Sequence, residues 1–141
     1  MRRLKLLILG IWIFKDWHLW ILDRFKKLPK GTYIFRLRNG MKFNFTAWEK
    51  YGDQGLGSMQ EIFLEERYNK RYRLKEGDSV IDIGSGIGEY LVYAAKKGVS
   101  ARGYDMNPDR HDDCLKNLAL NDCNARVVLS EVKSLDSIGG G

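Results

Sequence analysis

The stretch Val80-Ile81-Asp82-Ile83-Gly84-Ser85-Gly86-Ile87-Gly88 joins a short apolar run to three glycines at alternate positions. The apolar run predicts a buried strand, and the glycines predict a tight turn whose backbone can approach a ligand closely. A second strand is predicted over 101–105 and ends at Asp105. A strand, a glycine turn, a helix and a strand ending in an acidic residue are typical of a site for an adenosine-containing cofactor. An ordinary structural turn is the alternative interpretation.

The spacing of the glycines indicates which cofactor this turn accommodates. A dinucleotide-binding turn has the pattern G-x-G-x-x-G, which would place its third glycine at position 89, where the chain has Glu89. The Glu89 carboxylate at the start of the next helix would repel a pyrophosphate but tolerate a sulfonium cation. We therefore predict S-adenosylmethionine as the cofactor, with the Asp105 carboxylate accepting hydrogen bonds from both ribose hydroxyls.

Several segments of the chain resemble class I methyltransferases, and most of all the FkbM type. They are Arg36–Phe43, Glu61–Phe63, Val80–Gly88, Tyr104–Pro108 and Leu115–Leu118. The resemblance spans residues 17 to 138. It implies transfer of a methyl group from S-adenosylmethionine to a hydroxyl of a sugar, glycan or other small molecule. No catalytic base can be named from the sequence.

The predicted cofactor site combines residues of the turn with residues that the resemblance implies. The set is Asp82, Gly84, Ser85, Gly86, Gly88, Asp105, Met106, Glu61 and Glu131. Glu61 matches an acidic position of the resembled family, and Glu131 lies where many class I enzymes place a side chain that contacts the adenine amino group. An exposed helix carboxylate near Lys70 or Arg67 is the alternative interpretation of Glu61.

The order of the segments predicts an α/β fold of the Rossmann-like methyltransferase type. Strands over 80–83, 101–105 and 127–129 alternate with helices. Because such crossovers are right-handed, the strands should be parallel in the spatial order third, second, first. An N-terminal helix and a β-hairpin precede them. We divide the chain into an amphipathic helical segment (1–30), a hairpin, loop and helix (31–72), and a partial cofactor-binding domain (73–141).

The resemblance also implies a sheet of seven strands, of which this chain supplies three. We therefore expect a chain truncated after the third strand, with Val80, Ile81 and Ile83 at an exposed sheet edge. Such an edge would favour self-association or a partner subunit. The alternative function is an inactive or split-enzyme cofactor-binding fragment that needs a partner for the missing C-terminal half.

The first 72 residues allow more detailed predictions. Phe14, Trp17, Ile21 and Phe25 recur at helical spacing and predict one amphipathic helix, which covers its own core or, alternatively, contacts a membrane surface. A hairpin with a three-residue loop, Arg38–Gly40, pairs Leu37 with Met41, Phe35 with Phe43 and Tyr33 with Phe45. A polar loop over 47–58 and a helix from Met59 to about Tyr72 follow.

Composition narrows the partners and the compartment. The 141 residues carry a net charge of +6, concentrated in the N-terminal half, which favours anionic partners. Because no aromatic-basic nucleic-acid motif accompanies the charge, we do not expect nucleic acid as a substrate. Cys114, Cys123, His18 and His111 lack the spacing of metal ligands, so we predict no metal. Two cysteines without a secretory signal favour a cytoplasmic protein, with peripheral membrane contact as an alternative.

Overall fold

The computed structural model describes residues 2–47 and 56–138. The chain divides into two compact units, Met1–Arg73 and Leu74–Gly141. Most of the loop predicted at 47–58 lies outside the described residues. Within the described ranges, no helix combines the length and the hydropathy that crossing a membrane requires.

The first unit contains two helices, a hairpin and a group of short helical turns. In chain order these are α1 (Arg2–Ile13), α2 (Trp17–Arg24), β1 (Gly31–Arg36), β2 (Lys42–Ala47), α3 (Gly57–Met59), a π-helical turn (Gln60–Leu64) and a 3-10 turn (Arg67–Lys70). Strands β1 and β2 form an antiparallel sheet of their own. The inner face of this hairpin supplies much of the core of the unit, because Phe35 and Phe43 are fully buried.

The register predicted for the hairpin is confirmed. Tyr33 pairs with Phe45 and Phe35 pairs with Phe43, while the Leu37 amide donates to the Met41 carbonyl at 2.9 Å. Gly40 adopts a φ of 95°, which a side chain would strain and glycine allows. The alternation of apolar and polar residues therefore specified the pairing correctly.

The predicted N-terminal helix is present, but it is divided in two, because α1 ends at Ile13 and α2 begins at Trp17. Phe14 forms a β-bridge with Leu37 in the break. Asp16 is buried, and its Oδ2 accepts from the Arg36 amide at 2.9 Å and from Arg36 Nε at 2.8 Å. The Arg36 guanidinium lowers the pKa of the Asp16 carboxyl. These contacts hold the segment against the hairpin, which a continuous helix would not permit.

The helix predicted from Met59 to about Tyr72 is also wrong in extent. The π-helical turn ends at Leu64, and Glu66 adopts a left-handed conformation with a φ of 47°. The Glu65 carboxylate accepts from Gln60 Nε2 at 2.6 Å and from Arg67 Nε at 3.0 Å. These side-chain hydrogen bonds stabilise a bend that interrupts the regular helix at this point.

The second unit is a parallel sheet with intervening helices. Its elements are β3 (Ser79–Ile83), α4 (Glu89–Lys96), β4 (Ser100–Asp105), α5 (Pro108–Leu120), β5 (Arg126–Leu129) and a 3-10 turn (Leu135–Ser137). The strands are parallel in the order β3-β4-β5, so the predicted order is confirmed. The α/β fold class predicted from the sequence is confirmed with it.

Helix α5 buries only some of its apolar side chains. Cys114 and Leu118 are buried, but Leu115 is 46% exposed. The buried side of α5 instead contains polar residues, among them Asn117. Burial is tolerated there because the Asn117 side chain donates a hydrogen bond to the chain around the glycine turn.

Strand β3 lies at an edge of the sheet among the described residues, where it pairs with β4. Ile81 is 52% exposed and Ile83 is 53% exposed, as predicted. Val80, predicted to be exposed with them, is partly buried instead. Alternate residues of a strand point to opposite faces, so Val80 faces away from the side on which Ile81 and Ile83 lie.

Candidate cofactor site

The glycine turn between β3 and α4 is held by backbone hydrogen bonds from the neighbouring strand. The amides of Gly84 and Ser85 both donate to the Tyr104 carbonyl, at 2.8 and 3.0 Å. Gly84, Gly86 and Gly88 have φ values of 76°, 56° and 91°. All three lie in the left-handed region, where a side chain introduces strain, so the turn needs glycine at each of these positions.

Asp105 connects the end of β4 to this turn. Its carboxylate is 4% exposed, with Oδ2 accepting from the Gly86 amide at 2.9 Å and Oδ1 accepting from the Asn107 amide at 2.8 Å. Each carboxylate oxygen can accept two hydrogen bonds, so each retains capacity for a hydroxyl donor. The residue predicted to bind ribose thus lies directly beside the turn predicted to bind the cofactor.

The space around the glycines differs from one position to the next. A Cβ built on Gly84 would have nothing within 4 Å, and one built on Gly86 would meet Glu89 Oε2 at 3.7 Å. A Cβ on Gly88 would instead lie 2.7 Å from Cys114 Sγ. The first two glycines leave open space in which a ligand could contact the backbone, whereas the third is packed against α5. This arrangement fits an adenosine-containing cofactor.

A buried asparagine supports the turn from the side of α5, and sequence reasoning missed its role. Asn117 Nδ2 donates to the Ile87 carbonyl at 2.9 Å, and Asn121 Nδ2 donates to the Asn117 carbonyl at 2.8 Å. Asn117 is completely buried. Two asparagines four residues apart on one face of a helix were the signal in the sequence, because buried polar side chains need partners.

The charge of the site is negative. Burial, followed by the nearby Asp105 charge, raises the pKa of Asp82 to about 6. The pKa of the buried Cys114 thiol rises to about 12, through burial and then through the charges of Glu89, Asp82 and Asp105. The thiol is therefore protonated and acts as a packing group. Three carboxylates around the turn favour a cationic ligand over a phosphate.

Ser85 contributes its backbone amide to the turn, while its side chain packs beneath. Its hydroxyl is buried and lacks a hydrogen-bond partner among the described residues. A Cβ built on Gly103 of β4 would lie 2.8 Å from this hydroxyl oxygen. The same Cβ would lie 2.6 Å from Leu91 Cδ1, so the glycine at position 103 makes room for both Leu91 and Ser85.

The remaining predicted site residues lie in different places. Met106 follows Asp105 and is 71% exposed. Glu131 lies after β5 and forms an ion pair with Lys133 at 3.3 Å. Glu61 belongs to the first unit, where its carboxylate pairs with Arg67 at 2.8 Å, as the alternative interpretation predicted. Within residues 2–47 and 56–138 there is no group of three or more His, Cys, Asp or Glu that could hold a metal ion.

Comparison with known proteins connects this geometry to a fold family. No protein-family model matches the chain. A curated tRNA (guanine(37)-N(1))-methyltransferase of Aedes aegypti is 30% identical over 100 residues. This match covers 71% of the chain but only 16% of that relative. The chain therefore spans about a sixth of the length of this relative.

Two solved structures share the architecture. The tRNA (uracil-54, C5)-methyltransferase of Pyrococcus abyssi, in complex with S-adenosyl-L-homocysteine, is 22% identical with a TM-score of 0.53, covering 72% of this chain and 24% of that one. The 16S rRNA N2 G1207 methyltransferase of Thermus thermophilus, in complex with S-adenosylmethionine and guanosine, is 21% identical with a TM-score of 0.53, covering 74% and 29%. The chain has the class I methyltransferase fold.

These likenesses correct one expectation from the sequence and leave another without support. The prediction that nucleic acid is not a substrate is contradicted, because the matched relative is a tRNA methyltransferase. The FkbM type and its sugar or glycan acceptor gain no support, since the curated relative described above is a tRNA methyltransferase. The prediction relied on the lack of an aromatic-basic motif, which is a poor guide when RNA can also be bound through dispersed surface charge.

Proposed function

We propose that this chain is the cofactor-binding part of an S-adenosylmethionine-dependent RNA methyltransferase that acts on tRNA. The observation that carries the proposal is the hydrogen bond between the Asp105 carboxylate and the Gly86 amide, beside open space at Gly84, in a class I fold. When bound, the cofactor supplies a methyl group from its sulfonium, which passes to a nucleobase atom as the carbon–sulfur bond breaks and the base loses a proton.

The residues of the turn have distinct roles in this proposal. The backbone of Gly84 and Gly86 would face the cofactor, while the hydrogen bond from the Gly88 amide to the Ser85 carbonyl would hold the turn in shape. Asp105 would accept hydrogen bonds from the ribose hydroxyls, and the exposed side chain of Met106 would be available to contact the adenine. Asp82 supplies a negative charge for the cofactor's ammonium and sulfonium groups.

Two further acidic residues predicted for the site have weaker support. Glu131 follows β5, at the same end of the sheet as Asp105, and we retain it as a candidate contact for the adenine amino group. Glu61 is engaged by Arg67 in the first unit. We therefore leave Glu61 out of the proposed cofactor site, which is built from residues of the second unit.

A cationic cofactor suits this turn better than a dinucleotide. The Glu89 carboxylate lies 3.7 Å from the position that a Cβ on Gly86 would occupy, and Asp82 and Asp105 add further negative charge. A pyrophosphate dianion in this space would be repelled, whereas the net positive S-adenosylmethionine would be attracted. This argument also predicts tighter binding of S-adenosylmethionine than of its neutral product.

An RNA acceptor is supported by the relatives and by the distribution of charge. Residues 1–73 contain 16 Lys and Arg against 7 Asp and Glu, a net charge of +9, while residues 74–141 contain 8 against 11, a net charge of −3. The polyanionic backbone of RNA would therefore be attracted to the first unit. Exposed Arg38 and Lys42 on the hairpin provide a basic surface there.

Isothermal titration with S-adenosylhomocysteine tests the cofactor part. We expect saturable binding by the full chain, no binding of NAD, and a loss of more than tenfold in affinity on Asp105→Ala. The control is Asp112→Ala, which removes an exposed carboxylate from α5. Circular dichroism and thermal unfolding establish that each variant is folded. Absence of binding by the folded wild-type chain would contradict the proposal.

A milder variant protects this test against a failure of Asp105→Ala to fold. Glu89→Gln keeps the size of the side chain and removes one charge. We expect this variant to lower the affinity for S-adenosylmethionine severalfold. The affinity for S-adenosylhomocysteine should change much less, because that ligand lacks the sulfonium charge. Equal effects on both ligands would contradict the electrostatic argument.

The acceptor part is tested separately with tRNA transcripts. We expect salt-sensitive binding in a gel-shift assay, weakened by Arg38→Gln with Lys42→Gln and largely unchanged by Lys75→Gln with Lys96→Gln. Transfer of labelled methyl groups to tRNA, located by nuclease digestion and mass spectrometry, would support the acceptor. Cofactor binding without tRNA binding would contradict the acceptor and leave the cofactor site standing.

A further inference from the structure

Helix α1 is apolar on nearly all sides, although only one of its faces is packed against the protein. The inner face contains Gly10, which is buried against the ring of Trp20. Leu6, Leu9 and Ile13 on the same side are partly buried. Packing within the first unit therefore accounts for the apolar residues on one side of α1. It does not account for the apolar residues on the opposite side.

The outer face of α1 is exposed and consists of large apolar side chains. Leu4, Leu7, Ile8 and Ile11 are 63%, 36%, 50% and 41% exposed, and the neighbouring Trp12 is 74% exposed. Positions 4, 7, 8 and 11 follow the spacing that places residues on one side of a helix. We call these five residues the outer stripe. A contiguous apolar surface of this kind marks a site of interaction.

Cations flank the outer stripe on both sides. Arg3 and Lys5 are exposed and lie one residue before and one residue after Leu4. Each residue of an α-helix is rotated by about 100° from the one before it. Arg3 and Lys5 are therefore displaced from Leu4 in opposite directions around the helix and lie on either side of the stripe. Exposed Lys15 follows the end of the helix, and α1 contains no acidic residue.

This combination fits the interface of an anionic membrane. A helix of 12 residues is about 18 Å long, which is shorter than the roughly 30 Å hydrocarbon core, so α1 would lie in the plane of the surface. The outer stripe would enter the acyl boundary, Trp12 would lie at headgroup depth, and the flanking cations would contact lipid phosphates. RNA alone would satisfy the cations but leave the apolar stripe in water.

We propose that the outer stripe of α1 binds in the interface of a membrane that contains anionic lipids, and thereby anchors the protein peripherally. The proposal is independent of the function proposed above, because it uses only residues of α1 and the cation that follows it. Attraction at the surface should depend on salt, while insertion should depend on the apolar side chains.

Co-sedimentation of the full chain with vesicles tests this proposal. We compare phosphatidylcholine vesicles with vesicles containing a third phosphatidylglycerol. We expect sedimentation with the anionic vesicles that weakens as salt rises. The double variant Ile8→Gln with Ile11→Gln should lower the partition coefficient at least tenfold. Leu135→Gln, at an 80% exposed leucine in the second unit, is its control and should have little effect.

The cations are tested by a second matched pair. Each basic residue near an anionic surface raises the partition coefficient about fivefold. The double variant Arg3→Gln with Lys5→Gln should therefore lower the partition coefficient roughly thirtyfold. Arg71→Gln with Arg73→Gln removes the same net charge from exposed positions in the same unit and should weaken it much less. Equal effects of the two pairs would overturn the assignment of the surface to α1.

Other occupants of the outer stripe give different results. A wild-type dimer that becomes a monomer on Ile8→Gln with Ile11→Gln, in the absence of vesicles, would assign the stripe to a second copy of the chain. Loss of tRNA binding in that same variant would assign it to RNA. Either result, or failure of the wild-type chain to sediment with anionic vesicles, overturns the proposal.

Discussion

The hairpin turn at Gly40 and the cofactor-site turn at Gly84 to Gly88 both depend on glycines with positive φ, but their surroundings differ. A Cβ on Gly40 would meet nothing within 4 Å, since that turn projects into solvent at the end of two paired strands. In the second turn, Gly84 also faces open space, whereas Gly88 is in tight contact with Cys114.

The comparison separates three reasons for which a chain places glycine in a turn. At Gly40 the reason is conformation alone, because a φ of 95° strains other residues. At Gly88 conformation is combined with packing. At Gly84 it is combined, in our proposal, with room for a cofactor. Substitution by alanine should distinguish the three cases, because each adds the same Cβ to a different environment.

The largest effect is expected for Gly88→Ala. The new Cβ would be strained by a φ of 91° and would lie 2.7 Å from Cys114 Sγ, which is completely buried. Strain and overpacking together should lower the free energy of unfolding by about 3–4 kcal/mol. Urea unfolding followed by circular dichroism measures the change. In a Cys114→Ala background the same substitution should cost about 1 kcal/mol, because only the strain remains; an unchanged cost would show that the sulfur contact is not responsible.

The second effect concerns the charge that distinguishes the two turns. The pKa of Asp82 is raised from 3.8 to about 6 in the folded protein. Between pH 4 and pH 6 the folded state therefore keeps a proton on Asp82 that the unfolded state has already released. The free energy of unfolding should therefore fall as the pH rises from 4 through 6. The contribution of Asp82 to this fall is about 3 kcal/mol. We expect Asp82→Asn to remove this part of the pH dependence, measured as urea unfolding at pH 4 and pH 7. If the free energy of unfolding changed between pH 4 and pH 7 by the same amount in the variant as in the wild type, the assignment to Asp82 would be contradicted.

The third effect tests the support that α5 gives to the cofactor-site turn. Asn117→Ala removes the donor to the Ile87 carbonyl and should cost about 2 kcal/mol of unfolding free energy, from the lost hydrogen bond and the cavity. We also expect weaker binding of S-adenosylhomocysteine, because Ile87 lies between Gly86 and Gly88. Asn121→Ala removes a buried amide of the same type one turn later and should leave ligand affinity unchanged. A parallel loss of affinity in both variants would mean that Asn117 acts only through the stability of α5.

The features that the sequence predicted correctly are local or repetitive. The register of β1 and β2 follows from alternation near Gly40, and the order of β3, β4 and β5 follows from the handedness of the crossovers. The proximity of Asp105 to the glycine turn follows because parallel strands end at the same edge of the sheet. These predictions need no knowledge of side-chain contacts.

The features that the sequence did not predict depend on contacts between distant residues. Asp16 interrupts the N-terminal helix because it bonds to Arg36, 20 residues later, and neither residue is unusual in its local pattern. Asn117 lies 30 residues from the Ile87 carbonyl that it contacts. The helical spacing of the apolar residues around Phe14 is compatible with one continuous helix and with two shorter helices. Only the position of the hairpin strand decides between these possibilities.

The smallest effect on stability, and the sharpest test of function, comes from comparing Gly84→Ala with Gly40→Ala. Both glycines have positive φ and open space where the new methyl group would lie, so each substitution should cost about 1 kcal/mol of unfolding free energy through backbone strain. Only the methyl group at position 84 would occupy the volume that we assign to the cofactor. Calorimetric titration with S-adenosylhomocysteine should therefore show an affinity loss of tenfold or more in Gly84→Ala and none in Gly40→Ala. Equal affinities in the two variants would mean that the open space at Gly84 is an exposed turn like the one at Gly40, and that the ligand binds elsewhere.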